Sequence, residues 1–152
     1  MTAQTGRTHA KHITVKLDNS GGTLTDITAY VNSIGTVGLT SDTQDVTAFS
    51  DGSKNVVIGH PMASLTIGGP FDTTSHAQMI AINGTGLPLS LDIQIGIRHA
   101  WEATEPQFGI SMSASSGYVM NGYTVDIAAN TWQATLDVFG ATAPAWGTAA
   151  ET

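Results

Sequence analysis

The chain has 152 residues, a formal net charge of −7, no cysteine, and 41% hydrophobic but only 11% charged residues. This length fits a single domain that can bury a core. The lack of cysteine excludes disulfides and thiolate metal sites. The excess of acidic over basic residues argues against a positively charged surface that binds nucleic acid. No apolar run is long enough for a membrane span, so no membrane association is expected.

The low charge content is informative about the surface. Typical globular domains have about 25% charged residues, whereas here Thr, Ser, Gly and Asn take their place. These residues favour strands and turns over helices. A weakly charged surface also suits a lone monomer poorly, so the composition predicts that much of it contacts other subunits.

The chain begins with a polar segment followed by a strand. Residues 1–11 show no hydrophobic period and are predicted to form a flexible N-terminal arm. Next, Ile13, Val15 and Leu17 alternate with polar residues, which predicts a half-buried strand. Residues 24–34 fit either a second strand or a short helix.

Residues 35–54 are polar and are predicted to form a long loop. Loops of this length in compact domains usually have a function, so we expect this one to contact a neighbouring subunit. Residues 45–49 repeat the Asp-aliphatic-Thr-Ala-aromatic pattern of residues 26–30; in each, Asp and Thr are predicted to cap or close a turn while the aromatic residue packs. The candidate interface residues of the loop are Asp42, Asp45, Phe49 and Asp51.

Two strands and a helix are predicted next. The strands cover residues 56–58 and 63–67, with His60-Pro61 between them and residues 68–70 expected to end the second. The helix has an N-cap at Asp72 or Thr73 and stops at Asn83-Gly84, and Phe71 is expected to staple its first turn. The apolar residues that share one helix face are Ala77, Ile80 and Ala81.

The second half of the chain is rich in strand patterns. Residues 89–97 alternate most clearly, and residues 118–127 look strand-like, with Asn121-Gly122 as a hairpin turn or a bulge. The last strand starts at Trp132 and alternates through Val138.

In total, about seven short strands and one short helix predict an all-β fold, either a β-sandwich or a partly closed barrel. The predicted organisation is a flexible arm over residues 1–11, a sandwich domain over 12–140 and a C-terminal arm over 141–152. Trp146 lies in that last arm and is costly to leave in water. We therefore predict that it anchors the arm on another subunit, with packing on its own sandwich as the alternative.

Motifs for catalysis and metal binding are missing or incomplete. The nucleophile-elbow, phosphate-loop and dinucleotide fingerprints are absent. His9 and His12 have no third ligand nearby, and the loop aspartates do not have EF-hand spacing. Glu102 and Glu105 beside Trp101 lack the other residues of a glycosidase site. The sequence therefore predicts no enzyme, no cofactor and no metal site.

The order of several motifs resembles the major tail protein family, the tail tube proteins of long-tailed bacteriophages. The resemblance covers roughly residues 13–140. It rests on the motifs at residues 17–22, 26–28, 45–49, 65–74 and 138–140.

This resemblance implies a structural protein of the virion, assembled in the host cytoplasm. Subunits of that family form rings, usually hexameric, which stack into a tube, so the implied partners are further copies and other virion proteins. DNA passes through such a tube without specific binding, and neutral to acidic walls would suit it. Asp92 and Gln94 alternate with the apolar residues of their strand, so they are the predicted lumen-facing residues.

Two other functions stay open at this stage. Similar β-sandwiches serve as capsid decoration proteins, which the motif order does not separate from tail tubes. A carbohydrate-binding module would need exposed coplanar aromatic residues, whereas Trp132, one of three tryptophans, lies on a core-like face.

Overall fold

The structure is a computed structural model that describes residues 10–97 and 99–147. Residues 1–9 of the predicted N-terminal arm and residues 148–152 of the predicted C-terminal arm lie outside the described residues. No helix in the described part has the length and apolar character that crossing a bilayer requires. The strands are β1 (Ile13–Asp18), β2 (Leu24–Asp26), β3 (Ser33–Ile34), β4 (Thr40–Asp45), β5 (Val56–Met62), β6 (Leu65–Pro70), β7 (Leu91–Ile95), β8 (Gln107–Ile110), β9 (Ser116–Asp126), β10 (Thr131–Gly140) and β11 (Ala145–Trp146). The helical elements are α1 (Thr73–Ile82) and two 3₁₀ turns, Ala10–His12 and Thr28–Tyr30.

The strands form two main sheets and a separate hairpin. The larger sheet has the order β11-β8-β7-β1-β2 and the smaller has the order β3-β6-β10-β9, while β4 pairs only with β5 among the described strands. Buried side chains from both main sheets belong to one core, and neither sheet closes on itself over the described residues. The predicted all-β class with one short helix is confirmed, and of its two architectures the chain adopts the open sandwich.

The core shows the two-residue period on which the strand predictions relied. Trp132, Ala134 and Leu136 of β10 are all buried on one face of their sheet. On the neighbouring strand β9, Tyr118 is fully buried and its hydroxyl donates a hydrogen bond to the carbonyl oxygen of Ala63 at 2.9 Å. A large apolar side chain such as that of Leu136 contributes roughly 1.5–3 kcal/mol when it leaves water, so burial on β9 and β10 stabilises the sandwich.

Helix α1 begins and ends where the sequence predicted. Asp72 is the N-cap, and its Oδ1 accepts a hydrogen bond from the Thr74 backbone N–H at 2.7 Å. The Phe71 ring lies 5.3 Å from the His76 ring, which are the two positions of a hydrophobic staple. The face shared by Ala77, Ile80 and Ala81 is not the one that packs on the core, because apolar residues occur on both sides of this helix. The buried residues are Ser75, Met79 and Ile82, while Ala77, Ile80 and Ala81 are exposed.

Residues 68–70 do not end β6 as predicted, because the strand continues to Pro70. Glycine is needed at these positions because the backbone of neighbouring segments comes too close for a side chain. A Cβ on Gly69 would lie 2.0 Å from the carbonyl oxygen of Tyr30, and Gly68 accepts a hydrogen bond from the Asn32 backbone N–H. Glycine therefore seats the Thr28–Tyr30 turn directly against the smaller sheet.

Asn121 is a bulge and not a hairpin turn, which decides between the two predicted alternatives. The pairing of β9 with β10 shifts from Gly122↔Thr135 to Met120↔Leu136, which leaves Asn121 as the extra residue. Strand β9 is therefore continuous over eleven residues, and it forms one edge of the smaller sheet. Such bulges bend and twist an edge strand.

The structure has more strands than the predicted seven because several are too short to show a period. Strands β2, β3 and β11 contain only two or three residues each. Two of them flank a 3₁₀ turn within residues 24–34, so this ambiguous segment contains both strand and helical turn.

Candidate assembly surfaces

The most exposed part of the described chain is the hairpin of β4 and β5, which we call the projecting hairpin (residues 39–62). Its strands pair from Thr40↔Met62 to Asp45↔Val56, with an irregularity near Thr43. Every residue from 39 to 62 is exposed. The projecting hairpin therefore has neither face covered by the sandwich.

The long loop predicted over residues 35–54 is thus partly strand. Strand β4 consists only of Thr, Ser, Asp and Gln, so no apolar alternation identified it. Strand β5 also runs through His60-Pro61, the predicted break. Proline is tolerated there because edge strands leave one side of the backbone without a sheet partner.

A hydrogen-bond network orders the tip of the projecting hairpin. Asp45 Oδ1 accepts from the Thr47 backbone N–H at 2.9 Å, and Asp51 Oδ2 accepts from the Ala48 backbone N–H at 2.7 Å and from the Asn55 side-chain amide at 2.8 Å. These bonds stabilise the carboxylates, so the pKa of Asp45 and of Asp51 is lowered from the ordinary value. The tip is therefore a defined turn with two charged carboxylates.

This ordered tip carries its apolar side chains in full contact with solvent. Phe49 has a relative exposure of 113% and Ile58 of 70%. A two-stranded hairpin is marginally stable alone in water, and contiguous exposed apolar surface marks an interaction site. Sequence analysis selected Phe49 but missed the apolar residues of β5, although three consecutive aliphatic residues beside a polar strand were a usable signal. The missed residues are Val56, Val57, Ile58 and Met62.

The two Asp-aliphatic-Thr-Ala-aromatic segments make corresponding hydrogen bonds. In the first, the Thr28 hydroxyl accepts from the backbone N–H of Val15 at 3.0 Å and Asp26 accepts from the Thr28 N–H at 2.9 Å. In the second, the Thr47 hydroxyl accepts from the backbone N–H of Asn55 at 2.8 Å. The predicted turn-closing role of Asp and Thr is confirmed in both segments.

The aromatic residues of these segments have opposite environments. Tyr30 is partly buried and packs against the core, whereas Phe49 touches solvent on all sides. The prediction that both aromatic residues pack within the subunit is therefore wrong for Phe49. The reason is its position at the tip of a hairpin that extends away from the sandwich.

The four candidate interface residues of the loop lie together on the projecting hairpin, and the fifth, Trp146, lies near its base. A Cβ on Gly38 would lie 3.7 Å from the Trp146 ring. Trp146 belongs to β11, which pairs with β8, and its ring lies 5.1 Å from that of Phe108. Part of the predicted C-terminal arm is therefore a sheet strand, and the ring makes the local contacts of the alternative role. Because Trp146 is still 50% exposed, its role as an anchor on another subunit stays a prediction.

Asp92 and Gln94 do not face solvent, so the prediction that they line a lumen is wrong for the surface of this subunit. Their relative exposures are 3% and 8%, because β7 is a central strand and polar neighbours such as Lys16 and Gln107 cover this face. Gln94 donates a hydrogen bond to Asp92 Oδ2 at 3.0 Å. Burial raises the pKa of Asp92, whereas the positive charge of Lys16 and the hydrogen bond from Gln94 act to lower it. The pair forms a buried polar layer in the subunit.

Glu102 and Glu105 serve to close a turn. Both carboxylate oxygens of Glu105 accept backbone hydrogen bonds, one from Glu102 N–H at 2.9 Å and one from Ile97 N–H at 2.8 Å. His99 Nδ1 lies 3.7 Å from Glu105 but is also 2.8 Å from the Ala100 carbonyl oxygen. That carbonyl and the nearby carboxylates raise the pKa of His99. The arrangement is explained by local backbone hydrogen bonding.

Comparison with known proteins finds likeness at the level of fold. No model of a known protein family matches the sequence, and no curated protein matches it. Among solved structures, a chain from the tail of an empty gene transfer agent particle with C6 symmetry is similar over 94% of this chain and 100% of its own, with 17% identity and a TM-score of 0.61. A chain from the virion of a native gene transfer agent particle is similar over the same shares, with 18% identity and a TM-score of 0.59.

Proposed function

We propose that this chain is a structural virion protein, a subunit of a phage-type tail tube that assembles into stacked rings, and not an enzyme. The observation that carries the proposal is the fold likeness to a whole chain from a tail of C6 symmetry. The likeness covers 94% of this chain and all of the other. It also supports rings of six subunits as the unit of assembly.

The projecting hairpin supports the same function on physical grounds. Its exposed apolar side chains cost free energy in a lone subunit, and contact with further copies would remove that cost. Strand β9 adds a second surface. Its first half is already bonded by Gly84 and Leu89, but its second half, residues 122–126, is a sheet edge that invites pairing with another chain. A ring arrangement gives every such surface a partner, as closure does in a barrel.

The charge of the chain suits a conduit for DNA. The formal net charge is −7, with only five Lys and Arg residues against twelve Asp and Glu. A wall of this composition repels phosphate, so DNA would slide through without specific binding. In this proposal the protein works in the virion after assembly in the host cytoplasm, with itself and other virion proteins as partners.

Negative-stain electron microscopy of the purified protein tests this function. We expect rings that stack into hollow tubes at high protein concentration, with sixfold symmetry in class averages of end-on views. A matched control is Ile127→Ser on the β9–β10 turn, which removes an exposed apolar residue outside the projecting hairpin and should leave tubes intact. Trimers or monomers that bind only to assembled heads would contradict the tube and identify a decoration protein instead.

A further inference from the structure

We propose that the tip of the projecting hairpin of one subunit, with Phe49 at its centre, docks in a groove between β1 and β3 of a second copy of this chain. The inference rests on the proposed function only in that it requires self-association. It names the surface that receives the projecting hairpin, whereas a tube as such requires only that subunits touch.

The receiving groove lies beside the first Asp-aliphatic-Thr-Ala-aromatic segment. Its volume is about 530 Å³, within the range of pockets that enclose drug-sized ligands. Val15 at its floor is buried, and Ile13, Val31 and Ile34 along its sides are only partly buried. The groove is therefore a recess with an apolar floor and sides and a polar rim, large enough for one aromatic side chain and its neighbours.

The tip has the matching chemistry. Phe49 is a rigid aromatic side chain that no described residue of its own subunit covers, and Val46 of the same tip is 50% exposed. Aromatic residues that fill a pocket at the centre of an interface often carry 2 kcal/mol or more of binding energy. The size and the apolar floor of the groove thus fit Phe49, the most exposed large hydrophobic side chain of the described chain.

Charge also favours this pairing. The tip carries the carboxylates of Asp45 and Asp51, both held in the ionised form by local hydrogen bonds. The rim of the groove carries Lys11, one of only five basic residues in the chain. Placing acidic residues next to this lysine gives the contact its orientation.

Geometry argues for a second copy and against the groove of the same subunit. Strand β4 has six residues, so it spans roughly 20 Å at about 3.3 Å per residue. The ordered turn at its end holds Phe49 in solvent away from the sandwich. The second copy's groove is flanked by Thr28, whose hydroxyl accepts a backbone hydrogen bond as that of Thr47 does at the tip. Tyr30 packs against the core of its own subunit. Phe49, the corresponding aromatic residue of the second segment, would pack in the groove of a second copy.

Disulfide trapping tests the docking, and the chain is suited to it because it contains no cysteine. Ser50→Cys, which keeps the neighbouring Phe49 ring, and Ser33→Cys are prepared separately; both sites are exposed, and Ser33 lines the groove. The two proteins are mixed under assembly conditions and oxidised with copper phenanthroline. The matched control mixes Ser50→Cys with Ile127→Cys, an exposed site at the β9–β10 turn. Melting temperatures of the three variants verify that each is folded.

The expected result is a band on a non-reducing gel at twice the 15.7 kDa chain mass. This band should be at least fivefold stronger for the mixture that contains Ser33→Cys than for the control mixture. Equal bands in protein that still assembles would overturn the docking and leave the proposed function standing. A strong Ser33→Cys band in protein that never forms tubes would support the docking and count against the tube. An intrachain disulfide in an Ala3→Cys/Ser33→Cys variant at high dilution would overturn the docking, because residues of the same chain would then occupy the groove.

A groove-filling variant provides a second test. Ser33→Trp adds bulk at the exposed rim, and we expect it to reduce assembly at least tenfold, as Phe49→Ser does. If the two act on one contact, the double variant assembles no worse than either single variant. Additive losses would place Phe49 and the groove in different contacts and contradict the docking.

Discussion

The sandwich and the projecting hairpin differ in what covers their apolar side chains. Strand β10 buries Trp132, Ala134 and Leu136 against the opposite sheet, whereas β5 leaves Val57 and Ile58 in solvent. The same contrast separates Tyr30 from Phe49 in two segments with matching turns. The sandwich is thus complete as a single subunit, while the projecting hairpin has the composition of a surface that is completed by association.

This contrast predicts opposite effects for two aromatic truncations. Trp132→Ala should destabilise the isolated subunit by roughly 3–5 kcal/mol, because it leaves a cavity in the core. Phe49→Ala should change subunit stability by less than about 0.5 kcal/mol but should reduce assembly strongly. Urea unfolding of dilute protein measures the first quantity, and light scattering of concentrated protein measures the second. Loss of subunit stability in Phe49→Ala would erase the distinction between the two regions.

Trp146 is half exposed and so lies between the buried Trp132 and the fully exposed Phe49. Trp146→Ala should lower the unfolding free energy of the subunit by about 1–2 kcal/mol, since half of the ring is covered by contacts such as that with Phe108. If the exposed half also contacts a neighbour, assembly of the variant falls beyond what this loss of stability explains. If the variant melts and assembles like the parent, Trp146 contributes neither to packing within the subunit nor to contact with a neighbour.

Tyr118 tests how strongly a single buried hydrogen bond supports the sandwich. Tyr118→Phe removes the donor to the Ala63 carbonyl and should cost about 1 kcal/mol in urea unfolding. Tyr30→Phe is the matched control, since that residue is only partly buried, and it should cost less. A larger loss in the control would mean that the segment of residues 26–30, and not the core hydrogen bond, limits stability.

The buried polar layer gives a smaller, pH-dependent effect. Because burial raises the pKa of Asp92 in the folded state, the folded protein holds this proton more tightly than the unfolded chain. Ionisation of Asp92 therefore costs stability as the pH rises through the folded pKa. Asp92→Asn should then be slightly more stable than the parent at pH 7, and the gain should shrink near and below the ordinary value of 3.8. Urea unfolding at both pH values measures this, and a variant less stable at pH 7 would show that attraction to Lys16 outweighs burial.

Sequence patterns predicted the elements whose apolar residues meet the core of the same subunit. Strands β1 and β10 showed their period directly, and Asp72 identified the start of α1. A polar strand such as β4 has no covered face and so leaves no period.

The candidate site was predictable in part for related reasons. The loop residues were selected by length and polarity, and they do lie on one projecting element. The burial of Asp92 and Gln94 was not predictable, because alternation tells which residues share a face but not whether neighbouring polar side chains cover it. The apolar residues of β5 were missed as a site because consecutive apolar residues first suggest a buried strand.

The claim that further copies of this chain cover the projecting hairpin is tested most directly by amide hydrogen exchange. Exchange of residues 39–62 is compared between dilute subunits and assembled protein, with β10 as an internal reference that is protected in both. We expect the backbone amides of the projecting hairpin, including the tip around Phe49, to exchange at least tenfold more slowly after assembly. Equal exchange of residues 39–62 in the two states, in protein whose assembly is verified by microscopy, would contradict it.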